Sequence, residues 1–562
     1  MLVYGDHWRV FRPEDRLAEL GRALADGEPE HLTRALIDAG ELAQALADAE
    51  TAGSGIDDVT PLQCAAMELC TSLARRRFCK AGDGDAELAT LARRPLPAEV
   101  RGKLAEGYAF YGVTPEAYAA AARAHAWASP PLVIGLRSIG TSLAATVAAV
   151  TGGRAISLRP RGHPFDRTIV ASDRLKSRLR DHSGPFAIVD EGPGLSGSSF
   201  GAVADLLEAL GVAPERVVFM PSHDGEPGPQ ASPRHRVRWG AVTKVHRTLD
   251  DLLAEAPIAE MFADLIGEAV RVEDLSGGAW RRDLPEPLWP PVFPGQERRK
   301  FRLTSRHGVF LARFAGLGGV GEEKFETAAR LAGAGYTAEP LAFRHGFLLE
   351  RWLGGQPWRA GPPPGLADYL AFRARELPAG DRAGANHRAL REMAAHNATE
   401  LCGAEAGLQL GERLEALFAA AAAPRPIRID GRLHAWEWRR TPGGRVVKTD
   451  ALDHAEAHDL IGPQDVAWDI AGAAVEFGLS DAETARLARA VGEASGARVD
   501  PASVEVMGIC YAAFQGGLWS LAETQSDPRE AARIRAHRRR YAAHLETAAG
   551  VTDPAVRRRA RA

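Results

Sequence analysis

The chain has 562 residues, of which 45% are hydrophobic and 25% are charged, and its formal net charge at pH 7 is −4. This composition is ordinary for a soluble globular protein, and the length requires several domains. The weak net charge gives no support for a nucleic-acid or membrane partner, and Arg137 interrupts the most apolar run. The N-terminus lacks the order of a secretory signal and the five cysteines lack metal-ligand spacing, so we expect a cytoplasmic protein with reduced thiols.

The hydrophobic pattern divides the chain into regions of different fold class. Apolar residues first recur at helical spacing, and then short apolar strands alternate with amphipathic helices as far as about residue 250. The alternation predicts a parallel sheet with helices on both faces, in which the ligand lies at the carboxyl ends of the strands. We therefore expect a helical region at 1–126, an α/β domain at 127–255, a Pro-, Gly- and Trp-rich linker at 256–298, and an α+β domain at 299–548.

The segment from Phe186 to Phe200, FAIVDEGPGLSGSSF, is the most informative part of the chain. An apolar strand ends in Asp190 and Glu191, and a turn rich in glycine and serine then opens a helix. Such a turn binds phosphate, because glycines let the backbone approach the anion and the helix N-terminus adds partial positive charge. Two acids beside a phosphate are unfavourable unless they hold sugar hydroxyls or a bridging cation. The pattern therefore predicts a phosphorylated sugar, bound with magnesium.

This segment resembles the motif with which type I phosphoribosyltransferases bind 5-phosphoribosyl-1-diphosphate (PRPP). The resemblance implies that Asp190 and Glu191 hold the ribose 2- and 3-hydroxyls, and that they are the residues facing Mg²⁺. It also implies that the turn grips the 5-phosphate. The implied PRPP-binding set is Asp190, Glu191, Gly192, Gly194, Leu195, Ser196, Gly197, Ser198 and Ser199.

An earlier strand and turn, PLVIGLRSIGTSL at 131–143, lies where that family has its pyrophosphate loop. Its arginine offers a planar fork and its turn offers N–H and hydroxyl donors. The implied pyrophosphate-binding set is Arg137, Ser138, Gly140, Thr141 and Ser142. An N-capping turn accounts for Thr141 and Ser142 equally well.

A basic loop follows at 159–167, where members of the family have a mobile loop that closes over the diphosphate and excludes water. An anionic leaving group requires concentrated positive charge, so we expect Arg161 and Arg167 to be catalytic. A solvated surface loop is the alternative for either residue.

The segment 299–548 has a small antiparallel pattern with one helix, followed by a mostly helical region, and resembles the aminoglycoside-phosphotransferase-like kinase fold. RLHAWEW (432–438), VVKTDALDHAEAHDL (446–460) and GPQDVAWDIAGA (462–473) lie where that family has its catalytic loop, its metal-binding strand and a helix start. The resemblance implies that Asp450 binds metal and that Asp469 braces the catalytic loop.

This sequence departs from the kinase pattern at three positions. Arg432 replaces the catalytic aspartate, Glu437 replaces the metal-binding asparagine, and Arg313 stands in place of the nucleotide-pairing lysine. Arginine cannot orient an acceptor hydroxyl as a carboxylate does. Either this domain binds ATP, another nucleotide or a small molecule without transferring phosphate, or another acid has taken over, or the cluster is structural. The acids that could have taken over are Asp430, Asp453 and Glu437. A separate set that could suggest a metal site is Asp450, Asp453, His454, His458 and Asp459.

These patterns together predict magnesium-dependent transfer of a phosphoribosyl group from PRPP to a small acceptor, with release of pyrophosphate. The alternatives are a PRPP-binding regulator that performs no transfer, and a small-molecule kinase that acts through the C-terminal domain. The expected partners are PRPP and a small-molecule acceptor, with a homodimer as one possible assembly.

Overall fold

The computed structural model of the chain describes residues 8–82, 84–380, 382–455 and 461–550. None of the helices within these ranges combines the length and the apolar character that a membrane crossing requires. The first region is mostly helical, as predicted, and several of its helices begin with proline at the first turn, where the missing N–H costs nothing. Its elements are β1 (Trp8–Phe11), α1 (Pro13–Asp26), α2 (Pro29–Thr51), α3 (Pro61–Cys79), α4 (Asp85–Ala92), β2 (Val100–Lys103), α5 (Glu106–Phe110) and α6 (Pro115–Ala124).

The expected parallel sheet is present, with five strands that are parallel throughout. Its elements are β3 (Leu132–Leu136), α7 (Gly140–Thr151), β4 (Arg154–Leu158), β5 (Arg161–His163), β6 (Asp166–Thr168), α8 (Asp173–Asp181), β7 (Phe186–Val189), α9 (Ser198–Ala209), β8 (Val217–Met220), α10 (Pro233–Ala241) and β9 (Thr243–Lys244). The strand order is β4-β3-β7-β8-β9, so β7 and its acids lie at the centre of the sheet. Strands β5 and β6 form a separate antiparallel hairpin.

The composition of the segment VRWGAVTKV (237–245) predicts a late strand, and this prediction is wrong over most of the segment. Ser232 caps a helix with its side chain, Pro233 occupies the first helical position, and α10 then runs to Ala241. Only Thr243 and Lys244 pair with the sheet. The local capping signal therefore overrides the β-branched composition of this segment.

The region that we expected to be a linker is partly structured. It contains α12 (Ile258–Met261), α13 (Ala263–Ile266) and β10 (Ala269–Asp274), after α11 (Leu249–Glu255). Strand β10 joins an antiparallel sheet of order β10-β11-β12-β14-β13. The other elements of this lobe are β11 (Lys300–Ser305), β12 (Gly308–Phe314), α14 (Gly318–Gly333), β13 (Pro340–Arg344) and β14 (Phe347–Arg351).

A helical lobe completes the chain, with a small sheet of order β15-β16-β17 at its edge. Its elements are β15 (Gln356–Pro357), α15 (Leu366–Glu376), α16 (His387–Cys402), α17 (Ala404–Ala420), β16 (Trp438–Arg440), β17 (Val446–Lys448), α18 (Ala467–Phe477), α19 (Asp481–Ser495), α20 (Pro501–Thr524) and α21 (Pro528–Ala548). One apolar cluster includes Val133 and Val189 of the parallel sheet and Phe301 and Phe347 of the antiparallel sheet. The two sheets therefore share one hydrophobic core, which holds them together.

Candidate functional site

The acid pair lies where the central strand of the parallel sheet ends. The Asp190 carbonyl accepts a hydrogen bond from the Tyr118 hydroxyl at 2.7 Å, and the Glu191 carbonyl accepts one from the Ser222 N–H at 2.7 Å. Gly107 of α5 lies so close that a Cβ there would be 2.7 Å from Glu191 Oε2. These contacts fix the backbone of both acids and leave their carboxylates directed into a narrow space.

No basic group in the described ranges forms an ion pair with either carboxylate. Desolvation raises the pKa of Asp190 to about 7, and desolvation together with the charge of Asp190 raises the pKa of Glu191 to about 8. Two neighbouring oxygen donors without a resident cation are the donor set that Mg²⁺ prefers. The residues present therefore fit the implied magnesium ion.

The raised pKa values predict a pH-dependent stability in the absence of ligand. Each carboxyl group holds its proton to a higher pH when folded than when unfolded, so the stability present below about pH 4 is lost as pH rises towards about 8. We expect the unfolding temperature in EDTA to fall over this window more steeply in the wild type than in Asp190→Asn/Glu191→Gln, as measured by calorimetry. Equal slopes in the two proteins would contradict the assignment.

The turn after the acids has the backbone of an anion-binding loop. Gly194 and Gly197 have φ values of 56° and 65°, a region that glycine occupies without strain, and α9 begins directly after Gly197. The Ser196 and Ser198 hydroxyls lie 2.9 Å apart, and both donate to the Pro164 carbonyl, at 3.3 and 3.1 Å. The tip of the β5–β6 hairpin therefore rests on this turn, and a phosphate bound there would compete with Pro164 for the two hydroxyls. Of the other members of the predicted set, Gly192 and Leu195 lie on the same turn, and Ser199 lies in the first turn of α9.

The two predicted loops meet at one edge of the sheet. The helix α7 begins so close to β7 that a Cβ on Gly140 would lie 2.5 Å from the Val189 carbonyl, immediately before the acids. The buried hydroxyl of Thr141 has no hydrogen-bond partner among the described residues, whereas Ser142 and Tyr108 share a hydrogen bond of 2.8 Å. Ser138 lies in the turn itself, and its peptide bond to Arg137 is cis.

The structure directs Arg137 away from this edge, which differs from the expectation that it binds pyrophosphate. Its guanidinium is buried and forms ion pairs with Asp57 at 2.8 Å and Asp48 at 3.2 Å, and it also donates to Ser157. Both acids belong to the helical N-terminal region. Arg137 therefore anchors that region to the sheet, and the donors left for a diphosphate are those of the turn.

The two arginines that we expected to be catalytic lie on the β5–β6 hairpin. Arg161 donates to the Thr51 hydroxyl at 3.1 Å. The positive charge of Arg167 acts on Asp190 and lowers its pKa, although less strongly than desolvation raises it. The hairpin thus brings positive charge to the acid pair, with Arg167 better placed than Arg161.

A pocket adjoins the acid pair on the side of β8. Tyr118, Ser222 and His223 line it near the acids, and Glu297 and Arg298 line it at its other side. Gly192 contacts His223 so closely that a Cβ there would lie 2.9 Å from His223 Nε2. Tyr118 and Ser222 therefore connect this pocket to the backbone of the two acids.

A second cleft lies between the antiparallel sheet and the helical lobe, and it contains all four residues predicted for the kinase-like site: Arg313, Arg432, Glu437 and Asp450. Arg313 on β12 is buried and forms ion pairs with Glu350 at 2.9 Å, Asp453 at 3.0 Å and Asp450 at 3.6 Å. Lys324 of α14 also pairs with Asp453. The charges along this wall therefore neutralise one another.

Lys448 fills the centre of the remaining acids. Its buried ammonium lies 2.6 Å from Glu437 Oε2 and 3.0 Å from Asp430 Oδ1, and it donates to the carbonyls of Arg432 at 2.9 Å and Asp450 at 2.7 Å. Asp430, Glu437 and His454 offer ligand atoms within 4.8 Å of one another, a spacing that could hold a metal. The ammonium already supplies a positive charge to two of these three, so the residues present do not fit a metal ion there.

The pKa values of this cluster agree with an internal cation. Burial opposes the charge of Asp430, yet Lys448 and His454 hold its pKa well below the usual range. Burial likewise opposes the charge of His454, but Glu437 and Asp450 raise its pKa to about 9. The cluster is therefore a set of paired buried charges at neutral pH.

The side chain of Asp469 holds the backbone of the loop that carries Arg432. Asp469 accepts hydrogen bonds from the N–H groups of Asp430 at 2.8 Å and Gly431 at 3.0 Å. The Arg432 guanidinium donates to the Gln296 side chain at 3.1 Å and borders the cleft. His458 and Asp459, which we considered as metal ligands, lie outside the described residues.

Sequence reasoning missed Lys448 as a member of this site. The only sequence signal is a lysine at the end of the apolar strand VVK, two residues before Asp450. It missed Asp48 and Asp57 as partners of Arg137 because no local pattern connects residues 80 or 89 positions apart.

No known family profile matches the chain, and no curated protein matches it. Among solved structures, the chain is similar to choline kinase LicA from Streptococcus pneumoniae at 14% identity, over 52% of this chain and 99% of that chain, with a TM-score of 0.33. It is similar to the macrolide 2'-phosphotransferase MphH from Brachybacterium faecium at 15% identity, over 52% and 96%, with a TM-score of 0.32. It is also similar to the spectinomycin phosphotransferase APH(9)-Ia at 10% identity, over 51% and 92%, with a TM-score of 0.35.

These structures are kinases and phosphotransferases, and each match covers about half of this chain. TM-scores of this size do not support a conclusion about fold or activity, and we assign the chain to no family.

Proposed function

We propose that the α/β domain binds PRPP together with magnesium and transfers its phosphoribosyl group to a small acceptor, releasing pyrophosphate. The observation that carries this proposal is the convergence of two loops at one sheet edge, where Gly140 contacts the strand end that leads into Asp190 and Glu191. One loop offers two carboxylates and a serine-rich turn, and the other offers a second helix start. A ligand with a sugar between two separate phosphate groups matches this arrangement.

In this reaction the bond between the sugar C1 and the diphosphate oxygen breaks, and a bond from C1 to the acceptor forms. Asp190 and Glu191 would hold the sugar, and the N–H groups of Ser196 and Ser199 would hold the 5-phosphate. The N–H groups of Gly197 and Ser198 already donate to the Pro193 carbonyl at 2.7 Å and to the Ser196 hydroxyl at 3.2 Å. Magnesium, when bound, would reduce the negative charge of the diphosphate. Arg167 on the hairpin would add positive charge beside the leaving group, and the hairpin itself would exclude water.

Pyrophosphate release tests this proposal directly. We would incubate the protein with PRPP and magnesium, with and without a small-molecule extract, and measure pyrophosphate. Release that depends on the extract would support a transferase and would identify the fraction that holds the acceptor. Saturable binding of PRPP without release would leave a PRPP-binding regulator, and absence of binding would reject the proposal.

A second candidate is phosphoryl transfer to a small molecule in the C-terminal cleft. The observation that favours it is Asp450, whose side chain is 35% exposed to the cleft and is held by His454 at 3.2 Å. Arg432 and Lys448 act against it, because the part of the cleft that the structure describes has neither the acceptor-orienting carboxylate at position 432 nor an open metal position. ATP turnover that disappears in Asp450→Asn would support this candidate, and turnover unchanged by that substitution would reject it.

A further inference from the structure

Three arginines along the C-terminal cleft form no ion pair with any carboxylate among the residues described. Arg298 donates to the Phe110 carbonyl, Arg432 to the Gln296 side chain, and Arg439 to the Gly355 carbonyl. The Nε groups of Arg432 and Arg439 are buried and have no recorded partner. Buried donors without acceptors cost free energy, and a ligand that supplies acceptor oxygens would recover it. The cleft is therefore prepared for an anion.

Flat aromatic side chains line the same cleft. Trp280, Trp436 and Trp519 contribute to its walls. Trp519 is only 2% exposed, and its indole N–H, like that of Trp280, has no recorded acceptor. Indole faces bind planar rings by stacking, and their N–H groups donate to ring or sugar oxygens and nitrogens. This lining favours a ligand that combines a planar ring with an anionic group.

In kinases a divalent metal ion accompanies the phosphate, whereas in this cleft the positive charge beside the acids is a lysine side chain. The buried Lys448 ammonium lies 2.6 Å from Glu437, which lines the cleft. A divalent ion would have to displace it and leave a second buried positive charge unpaired. An anionic ligand in this cleft must therefore be bound by arginines alone.

The cleft and the pocket beside the acid pair share a wall. Tyr111, Gly295, Glu297 and Arg298 line both. Arg298 is the one positively charged residue among these four. Phosphoribosyl transfer leaves the 5-phosphate on the product, so the product of a planar acceptor would be a ring joined to a ribose phosphate.

We propose that the C-terminal cleft binds a phosphate monoester that carries a planar ring, of the nucleoside 5'-monophosphate class, and binds it without a divalent cation. The choice of ring and phosphate together rests on the proposed function of the neighbouring site. The anion-binding property rests only on the cleft. Arg432 and Arg439 hold the phosphate, and Trp280 and Trp436, which are only partly buried, hold the ring.

Titration of the full chain with AMP, GMP, CMP and UMP tests this proposal, using the Asp190→Asn/Glu191→Gln variant so that the first site does not contribute. Calorimetry would be performed once in EDTA and once in magnesium. We expect saturable binding of at least one monophosphate with the same dissociation constant in both. The matching nucleoside, which lacks phosphate, should bind at least about tenfold more weakly.

Two matched variants locate the binding. Arg439→Gln should weaken it by roughly tenfold or more, as should Arg432→Gln, because each loses a charge-assisted hydrogen bond. Arg440→Gln should leave it unchanged, because Arg440 is the next residue on β16 but packs on Trp358 outside the cleft. The proposal would be overturned by binding that requires magnesium, by equal affinity for nucleoside and monophosphate, by equal effects of Arg439→Gln and Arg440→Gln, or by no binding of any of the four monophosphates.

The outcomes separate this proposal from the proposed function. Loss of pyrophosphate release with intact binding of a monophosphate would reject phosphoribosyl transfer and retain the cleft. Intact pyrophosphate release with no monophosphate binding would reject the proposed ligand of the cleft and retain phosphoribosyl transfer.

Discussion

The double substitution of Asp190 by Asn and Glu191 by Gln is expected to lower the rate of pyrophosphate release from PRPP by a factor on the order of 100 to 1000 or more. The amides preserve size and can still form hydrogen bonds, but they remove the negative charge that holds magnesium and orients the sugar hydroxyls. The effect should appear in kcat/KM measured by pyrophosphate release, with PRPP binding measured separately by calorimetry.

The control is Asp224→Asn, which removes one negative charge from an exposed position in the loop after β8. We expect its rate to remain within about twofold of the wild type, because surface charges contribute little. The double variant should also fold, since neutral amides remove the desolvation cost that raises the pKa of both acids. Equal losses of activity in the double variant and the control would count against the site.

Conversion of Lys448 to Met is expected to lower the free energy of unfolding of the C-terminal domain by about 3–5 kcal/mol. The substitution leaves Asp430 and Glu437 buried without the ammonium that lies 3.0 and 2.6 Å from them. Denaturant unfolding followed by tryptophan fluorescence should show the loss, since Trp436, Trp438 and Trp519 lie in this domain.

Lys300→Met is the matched control, because Lys300 is partly exposed and pairs with Glu297 at 3.1 Å. Its loss should cost less than about 1 kcal/mol. In Lys448→Met the unpaired acids should take up protons, so their folded-state pKa values rise and the variant should regain stability as pH falls towards about 5. A variant as stable as the control at pH 7 would show that the ammonium does not hold the cluster together.

The elements that the sequence predicted well are those whose signal is local. The acid pair, the glycine–serine turn and the helix after it are contiguous, so strand, turn and helix can be read from one segment of 15 residues. The same holds for the alternation that produced the parallel sheet, and for the serine and proline signals at helix starts. The late strand at 237–245 failed because its composition favoured a strand, whereas the cap at Ser232 favoured a helix.

Arg137 shows which contacts a local sequence pattern leaves out. Its position after β3 is correct for a pyrophosphate loop, but its guanidinium pairs with Asp57 and Asp48 from the first region. The long arginine side chain can pair with any acid nearby. The acids that lie near it are determined only when the N-terminal helices pack on the sheet.

The sequence by itself therefore determined the parallel sheet, the acid pair with its turn, and the departure of the C-terminal domain from the kinase pattern at Arg432 and Glu437. Only the tertiary structure decided that Lys448 occupies the centre of the acids, that Arg137 serves as an anchor, and that the two pockets share a wall. Local hydrogen bonding and hydrophobic periodicity act over a few residues and are visible in the chain. Pairing of buried charges joins residues far apart in sequence. A buried ion has lost its solvent, so it is stable only beside an opposite charge, and the packed fold determines which charge that is.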